Sequence, residues 1–438
     1  MPENMNHPIG SARDWHPHKR PSNPAWLLLA CSVVLQLVLA LFFGHAYDMR
    51  IFMSTGYLVA TGQNPYIAQN LAAVFQNNTF QGISSFGYPP PWSIVLGLIY
   101  LCTYKLIPNF LLYNLAIKLP VIAANIGLAY LVVHVLERSG AQERTSRRAW
   151  IFMLFNPFLL CASSAWGQFD SVVALLSLLS LYLLSEENTT GPAILLTLAV
   201  SCKPIALPLV PVIFVYLAGR SLKRTLRYFA VFSVSMVLFC VVPFFLFGWD
   251  PAVIIQHWNF HFTVGGGLSY MTFLETLTRS YQLTGLWWIM GWVWLPALGI
   301  ATYMLKPGIT GFKDLLKKSL ALILVFYLCR AWLSEPNIIL VLPLVLILTC
   351  LNELKPISLA AVWILPLIFA FFNTSLAQLF FPSMPAAMEA LLKLAGEYDP
   401  ARFVLRTVVV ITWLAAGGWI VTNCFKKPTI LNEERVSG

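Results

Sequence analysis

The chain has 438 residues, of which 58% are apolar and only 11% charged, with a mean hydropathy of +0.73; this excludes an ordinary soluble domain. Its net charge of +10 at pH 7 does not mark a nucleic-acid binder, because Lys and Arg stand in short clusters between apolar runs rather than in one aromatic-laced patch. The composition is that of a polytopic membrane protein. Long apolar runs suit helices, since about 20 residues span about 30 Å of hydrocarbon and a helix satisfies its own backbone in lipid. The eight cysteines lie in or beside apolar runs, without the spacing of a metal site or a disulfide framework.

Taken in order, residues 1–24 are polar, rich in Pro and His, and carry Arg13, Lys19 and Arg20, which predicts a disordered cytoplasmic tail. A first helix over Ala25–Phe43 then crosses to the other side. The stretch Gly44–Trp92 is too polar to lie in lipid and reads as a long first outer loop. Met49–Ala60 and Ile67–Phe75 within it fit interfacial helices, separated by the turn Gly62-Gln63-Asn64-Pro65-Tyr66. Trp92–Leu106 is too short for a span and is expected to be embedded or re-entrant, with Leu112–Leu136 making the crossing. The four arginines of Glu137–Arg148 predict a cytoplasmic loop.

Next, a helix over Trp150–Ala165 leads to an outer turn, Trp166-Gly167-Gln168-Phe169-Asp170, and a return helix ends near Ser185. Gly191–Leu217 is one apolar stretch broken at Lys203-Pro204, read as a helical hairpin with its lysine at the far end. Tyr228–Phe247 leads outward to a loop with Asp250, His257 and His261, and Thr284–Leu305 returns to the basic residues Lys306, Lys313, Lys317 and Lys318. Ser319–Leu333, Asn337–Leu351 and Ile357–Phe372 follow as crossings, then an outer loop with Glu389, Lys393, Glu397 and Asp399. The last helix, Phe403–Phe425, ends at Lys426-Lys427, and 426–438 is a cytoplasmic tail. The fold expected is all-α, a bundle of 11–13 helices forming one transmembrane domain over residues 25–425.

The isolated charges carry the functional argument, because ionisable groups at membrane depth are seldom idle. Asp48 is the first acidic group after the first helix and is the candidate general base; the alternative is an interfacial residue paired with Arg50. Asp170 is a second acidic candidate or a helix N-cap. Lys203, flanked by apolar residues, needs an anion or an aqueous cavity, unless it snorkels to the interface. Arg330 and Glu335 sit at another outer helix end, as a phosphate grip with its support or as a plain ion pair. His257 and His261 are four apart, a spacing that would face one metal on a helix, but no third ligand accompanies them.

These pieces come in a telling order: Tyr47-Asp48-Met49-Arg50, the GQNPY turn, Gly87-Tyr88-Pro89-Pro90-Pro91-Trp92, Asn156-Pro157, Trp166 to Asp170, Cys202-Lys203-Pro204, and Arg330 to Asn337. The order resembles the GT-C superfamily of integral membrane glycosyltransferases, especially polyprenyl-phosphate-mannose-dependent mannosyltransferases. The resemblance implies an inverting transfer of a hexose, mannose foremost, from a polyprenyl-phosphate donor to a lipid-linked or cell-surface glycan on the non-cytoplasmic face of the cell membrane. It implies Asp48 as base, Asp170 and Gln168 at the acceptor or second acidic site, and Lys203 and Arg330 on the donor phosphate. Glu335, Tyr88 and Trp92 are expected to support the site, with no cofactor and no metal required. A multi-span transporter or lipid flippase without transferase activity is the rival reading.

Overall fold

The computed structural model describes residues 23–186, 188–252, 264–278, 289–306 and 308–426, together with Ile255. Helices dominate it, and the strand pairing among the described residues is confined to Gly266–Gly267 beside Trp332–Leu333. Four described helices are long and apolar enough to cross a membrane: Phe110–Arg138, Glu143–Ala165, Leu222–Phe247 and Asp399–Phe425. Shorter apolar helices fill in around them, among them Trp26–Phe42, Pro90–Cys102, Asp170–Ser185, Thr190–Cys202 and Pro356–Phe372. The all-α membrane fold expected from the composition is the fold observed.

Several boundaries differ from expectation, each for a local reason. The stretch Gly44–Trp92 is not simply a loop. Its helix begins at Ala46 and runs to Ala60, so Asp48 lies in a first helical turn, where a carboxylate opposes the positive end of the helix dipole. The expected helix over Ile67–Phe75 shrinks to Ala72–Phe75, because Gln69 bridges Ile83. Pro90–Cys102 is a helix of 13 residues, too short to span, lying against Ala46–Ala60 with Trp92, Leu96 and Tyr100 buried. Ser319–Leu333 begins earlier, at Phe312, which draws Lys313, Lys317 and Lys318 into the helix, and it stops at Leu328. Beyond it Trp332–Leu333 is extended and pairs in parallel with Gly266–Gly267.

The long helix Phe110–Arg138 is the post around which the first half is hung. The Asn109 side chain caps it by accepting from Leu112 N at 3.0 Å, satisfying an orphan amide. Its inner face then supplies polar groups where other helices end. Asn114 donates to the carbonyls of Ala40 at 2.7 Å, Leu41 at 3.1 Å and Phe43 at 2.9 Å. Lys118, fully buried, donates to Ala40 O at 3.2 Å and Ala165 O at 3.1 Å, and also to Phe43 O. One lysine thus binds the carbonyl ends of the first helix and of the π-helical turn Cys161–Ala165, where a helix leaves carbonyls unpaired.

About two turns deeper, Asn125 donates to Gln36 Oε1 and Ser163 Oγ, both at 2.8 Å, and Ser164 donates to Gln36 Oε1 at 3.0 Å. These buried bonds fix the first helix against the π-turn. The chain between them, Gly44 to Asp48 on one strand and Trp166 to Asp170 on the other, is therefore held at both roots.

Replacing Lys118 by Met is expected to take its donor from Ala165 O and to leave Ala40 O and Phe43 O to Asn114 alone. An unsatisfied buried group costs about 1–3 kcal/mol, so Lys118→Met should clearly lower the thermal midpoint of the detergent-solubilised protein, with Lys118→Arg recovering part of it. An unchanged midpoint would contradict the assignment.

Candidate active site

Asp48 is reached first by following the two roots upward. Trp166 Nε1 donates to its Oδ2 at 2.5 Å, and His45 Nδ1 lies 3.1 Å from the same oxygen. The His45 ring stacks on Trp166 with centroids 4.2 Å apart and planes 10° from parallel, and the His45 amide donates to Trp166 O at 3.1 Å. The carboxylate side chain stays 16% exposed, so it is fixed without being sealed. Arg50, its expected partner in the bland reading, points elsewhere: it donates to Ala46 O and Thr79 O, both at 2.7 Å.

The turn Trp166 to Asp170 can do this only because of Gly167. Its φ is +99°, a conformation L side chains rarely adopt, and a Cβ there would lie 2.5 Å from Met49 Sδ and 3.0 Å from Lys118 Cε. The turn sends Trp166 to Asp48 and sends Gln168 and Asp170 to Lys203. Lys203 Nζ meets Asp170 Oδ2 at 2.7 Å, Oδ1 at 2.9 Å and Gln168 Oε1 at 3.2 Å, and both partners are buried. A buried charge pair of this kind is costly to break.

Asp170 occupies the first turn of Asp170–Ser185, while its cap position is Phe169, so it does not serve as the N-cap. Lys203 stands where Thr190–Cys202 ends, in extended backbone before Pro204, and does not reach an interface by snorkelling. Its ammonium lies 5.4 Å from the ring centres of both Tyr88 and Phe169.

Beyond Lys203 opens a cavity of about 610 Å³, lined mostly by apolar side chains, with Tyr88, Lys203 and Arg330 among its walls. Among the described residues Arg330 has no acidic partner. Its guanidinium sits 5.1 Å from the Phe326 ring. Glu335 does not support it: the carboxylate accepts from Asn373 Nδ2 at 3.0 Å and Ser375 Oγ at 3.1 Å. The reason is local, since Trp332–Leu333 is extended and Pro336 opens a 3₁₀ turn, Glu335–Leu340. Trp92 is likewise structural, 2% exposed and stacked on Phe169 at 4.5 Å, while Tyr88 faces the cavity.

Asp170 meets Lys203 directly, Lys203 and Arg330 share the cavity wall with Tyr88, and Asp48 is tied to the same Trp166 to Asp170 turn through Trp166. His45 and Lys118 were not singled out, and Trp166 only as the first residue of its turn. Lys118 carried the same signal as Lys203, a lone lysine in an apolar run; His45 carried none beyond standing three residues before Asp48, and nothing in the sequence joined Trp166 to a carboxylate 118 residues away. Among the described residues no group of three or more His, Cys, Asp or Glu could hold a metal ion; His257 and His261 lie outside the described residues.

Residues 115–262 match the family model of the ALG6, ALG8 glycosyltransferase family. The chain is similar there to a membrane glycosyltransferase family, within the GT-C superfamily. The matched stretch covers Lys118, the Trp166 to Asp170 turn and Lys203, and leaves out Asp48 and Arg330.

The helix Ala46–Ala60 is not one of the membrane-crossing candidates, and Asp48 titrates at its edge. Burial pushes its carboxyl up, but the hydrogen bond and charge of His45 and the hydrogen bonds of Trp166 and Gln168 outweigh burial and hold it below the ordinary value. Unfolded, it titrates at about 3.9; the interaction therefore stabilises the fold fully above that pH and is lost as pH falls through the lower folded value. His45→Ala should raise the pKa of the Asp48 carboxyl, moving the acid limb of kcat/KM upward. A pH profile identical to that of the parent would sink the pairing.

Proposed function

We propose that the protein transfers a hexose from a polyprenyl-phosphate donor to a lipid-linked or cell-surface glycan, with inversion, on the non-cytoplasmic side of the membrane. The observation that carries the proposal is Arg330, a cation without an acidic partner among the described residues, at the wall of a largely apolar cavity beside Lys203 and Tyr88. Apolar walls suit a prenyl chain, and a guanidinium suits the phosphate. A transporter gives no reason for a carboxylate fixed by His45 and by Trp166, the residue that begins the turn reaching Lys203.

In this reading the acceptor hydroxyl loses its proton to Asp48 as its oxygen bonds to the anomeric carbon. The bond from that carbon to the phosphate oxygen breaks, and the electron pair leaves with the phosphate. A positioned base contributes about 10²–10⁴-fold, and Arg330 meets the charge growing on the leaving oxygen, where fixed cations act most strongly. Lys203 is shared with Asp170 and Gln168. It touches the donor phosphate second, and its first task is to orient those two groups toward the acceptor. Tyr88 lies between the two halves of the site and offers its ring and hydroxyl to the sugar. Mannose is the first sugar to assay, on the resemblance alone.

Asp48→Asn should reduce transfer by at least about 10²-fold while the protein folds and binds polyprenyl phosphate as before. Measured with purified protein and several polyprenyl-phosphate sugars, full activity in this variant would rule out Asp48 as the base. Arg330→Met should weaken donor binding by about tenfold or more, consistent with a lost charge-assisted hydrogen bond; unchanged donor KM would remove Arg330 from the phosphate site.

A further inference from the structure

Arg330 presents a physical problem. It makes no hydrogen bond or ion pair among the described residues, so its own side chain does not fix its position. Its backbone must. On one side Arg330 follows the end of Phe312–Leu328. On the other, the chain from Ala331 to Leu333 is bound along its length by a short strap, Gly265-Gly266-Gly267-Leu268-Ser269.

Gly266 N donates to Ala331 O at 3.2 Å and Leu268 N to Leu333 O at 2.8 Å, while Ser269 Oγ also donates to Ala331 O. The strap is itself pinned by Thr272 Oγ1, which donates to Gly267 O at 2.7 Å. Side chains are excluded from it. A Cβ on Gly267, whose φ is +65°, would lie 1.9 Å from Leu333 O, a backbone atom that cannot step aside; one on Gly266 would lie 2.3 Å from the Trp332 ring. Trp332 and Arg330 line the same cavity wall.

We infer that the Gly265–Gly267 strap is a positioning element for Arg330, setting through backbone pairing with Ala331–Leu333 where the guanidinium meets the donor phosphate. This rests on the donor-site reading given above. Neither glycine touches the cavity, so both act only through the segment they hold.

The test uses the full-length protein in detergent and methyl farnesyl phosphate, a singly charged phosphodiester like the donor, as the probe, with binding followed by thermophoresis. Gly267→Ala is expected to weaken binding about tenfold, and in the Arg330→Met background to cost nothing further, because both changes remove one contact. Gly266→Ala, obstructed only by the Trp332 ring, should give a smaller loss, relieved by adding Trp332→Leu, and serves if Gly267→Ala does not fold. Gly299→Ala, with no atom within 4 Å of its added carbon, should bind as the parent does, and the thermal midpoint of every variant is recorded.

Parent-like binding by the strap variants, or losses that simply add to that of Arg330→Met, would overturn the positioning role while leaving the donor site intact. Failure of the parent protein to bind methyl farnesyl phosphate would instead overturn the donor-site reading, and the strap inference with it.

Discussion

Three carbonyl oxygens bound by one buried ammonium hold this site together. Within lipid, apolar side chains give little preference for one helix arrangement over another, since the tails are as apolar as leucine; polar bonds between helices must therefore supply much of the precision. Lys118 joins the end of the first helix to the end of the π-turn. From those two ends grow the segments that carry Asp48 and Trp166. The bond between Trp166 and Asp48 depends on that junction, and so does the turn that delivers Gln168 and Asp170 to Lys203.

The same logic explains the π-turn. An extra residue in a helical turn costs hydrogen-bond geometry and is often found at functional sites. Here Cys161–Ala165 rotates the end of the helix so that Ala165 O meets Lys118, while Ser163 and Ser164 meet Asn125. Gly167 then reverses the chain in a space closed by Met49 and Lys118. The strain of the turn and the crowding around it are parts of one arrangement, compensated by buried bonds on both sides.

Much of this was legible in the residues. Apolar run length was enough for the all-α membrane fold, and lone charges in or beside apolar runs marked Asp48, Asp170, Lys203 and Arg330 as candidates. Partners were not legible. Periodicity says where Asp170 and Lys203 stand at their helix ends but not that two positions 33 apart fold into contact. Glu335 was matched to Arg330 because the two are near in sequence, yet an extended segment and a proline turn it toward Asn373 and Ser375. Nor could the segment Trp332–Leu333 be read as a strand, since two residues show no alternation and its partner, Gly266–Gly267, has no side chains to pattern.

Because Asp170 cancels Lys203, the large cavity keeps the formal charge of Arg330 alone. An occupant with one negative charge leaves the chamber neutral; a second negative charge has no counterion there, and an unpaired ion in apolar surroundings is expensive. In the proposed reaction the donor is a phosphodiester with one such charge, whereas the spent carrier is a monoester with close to two. The chamber would thus discriminate by valence, holding the loaded carrier and favouring departure of the empty one.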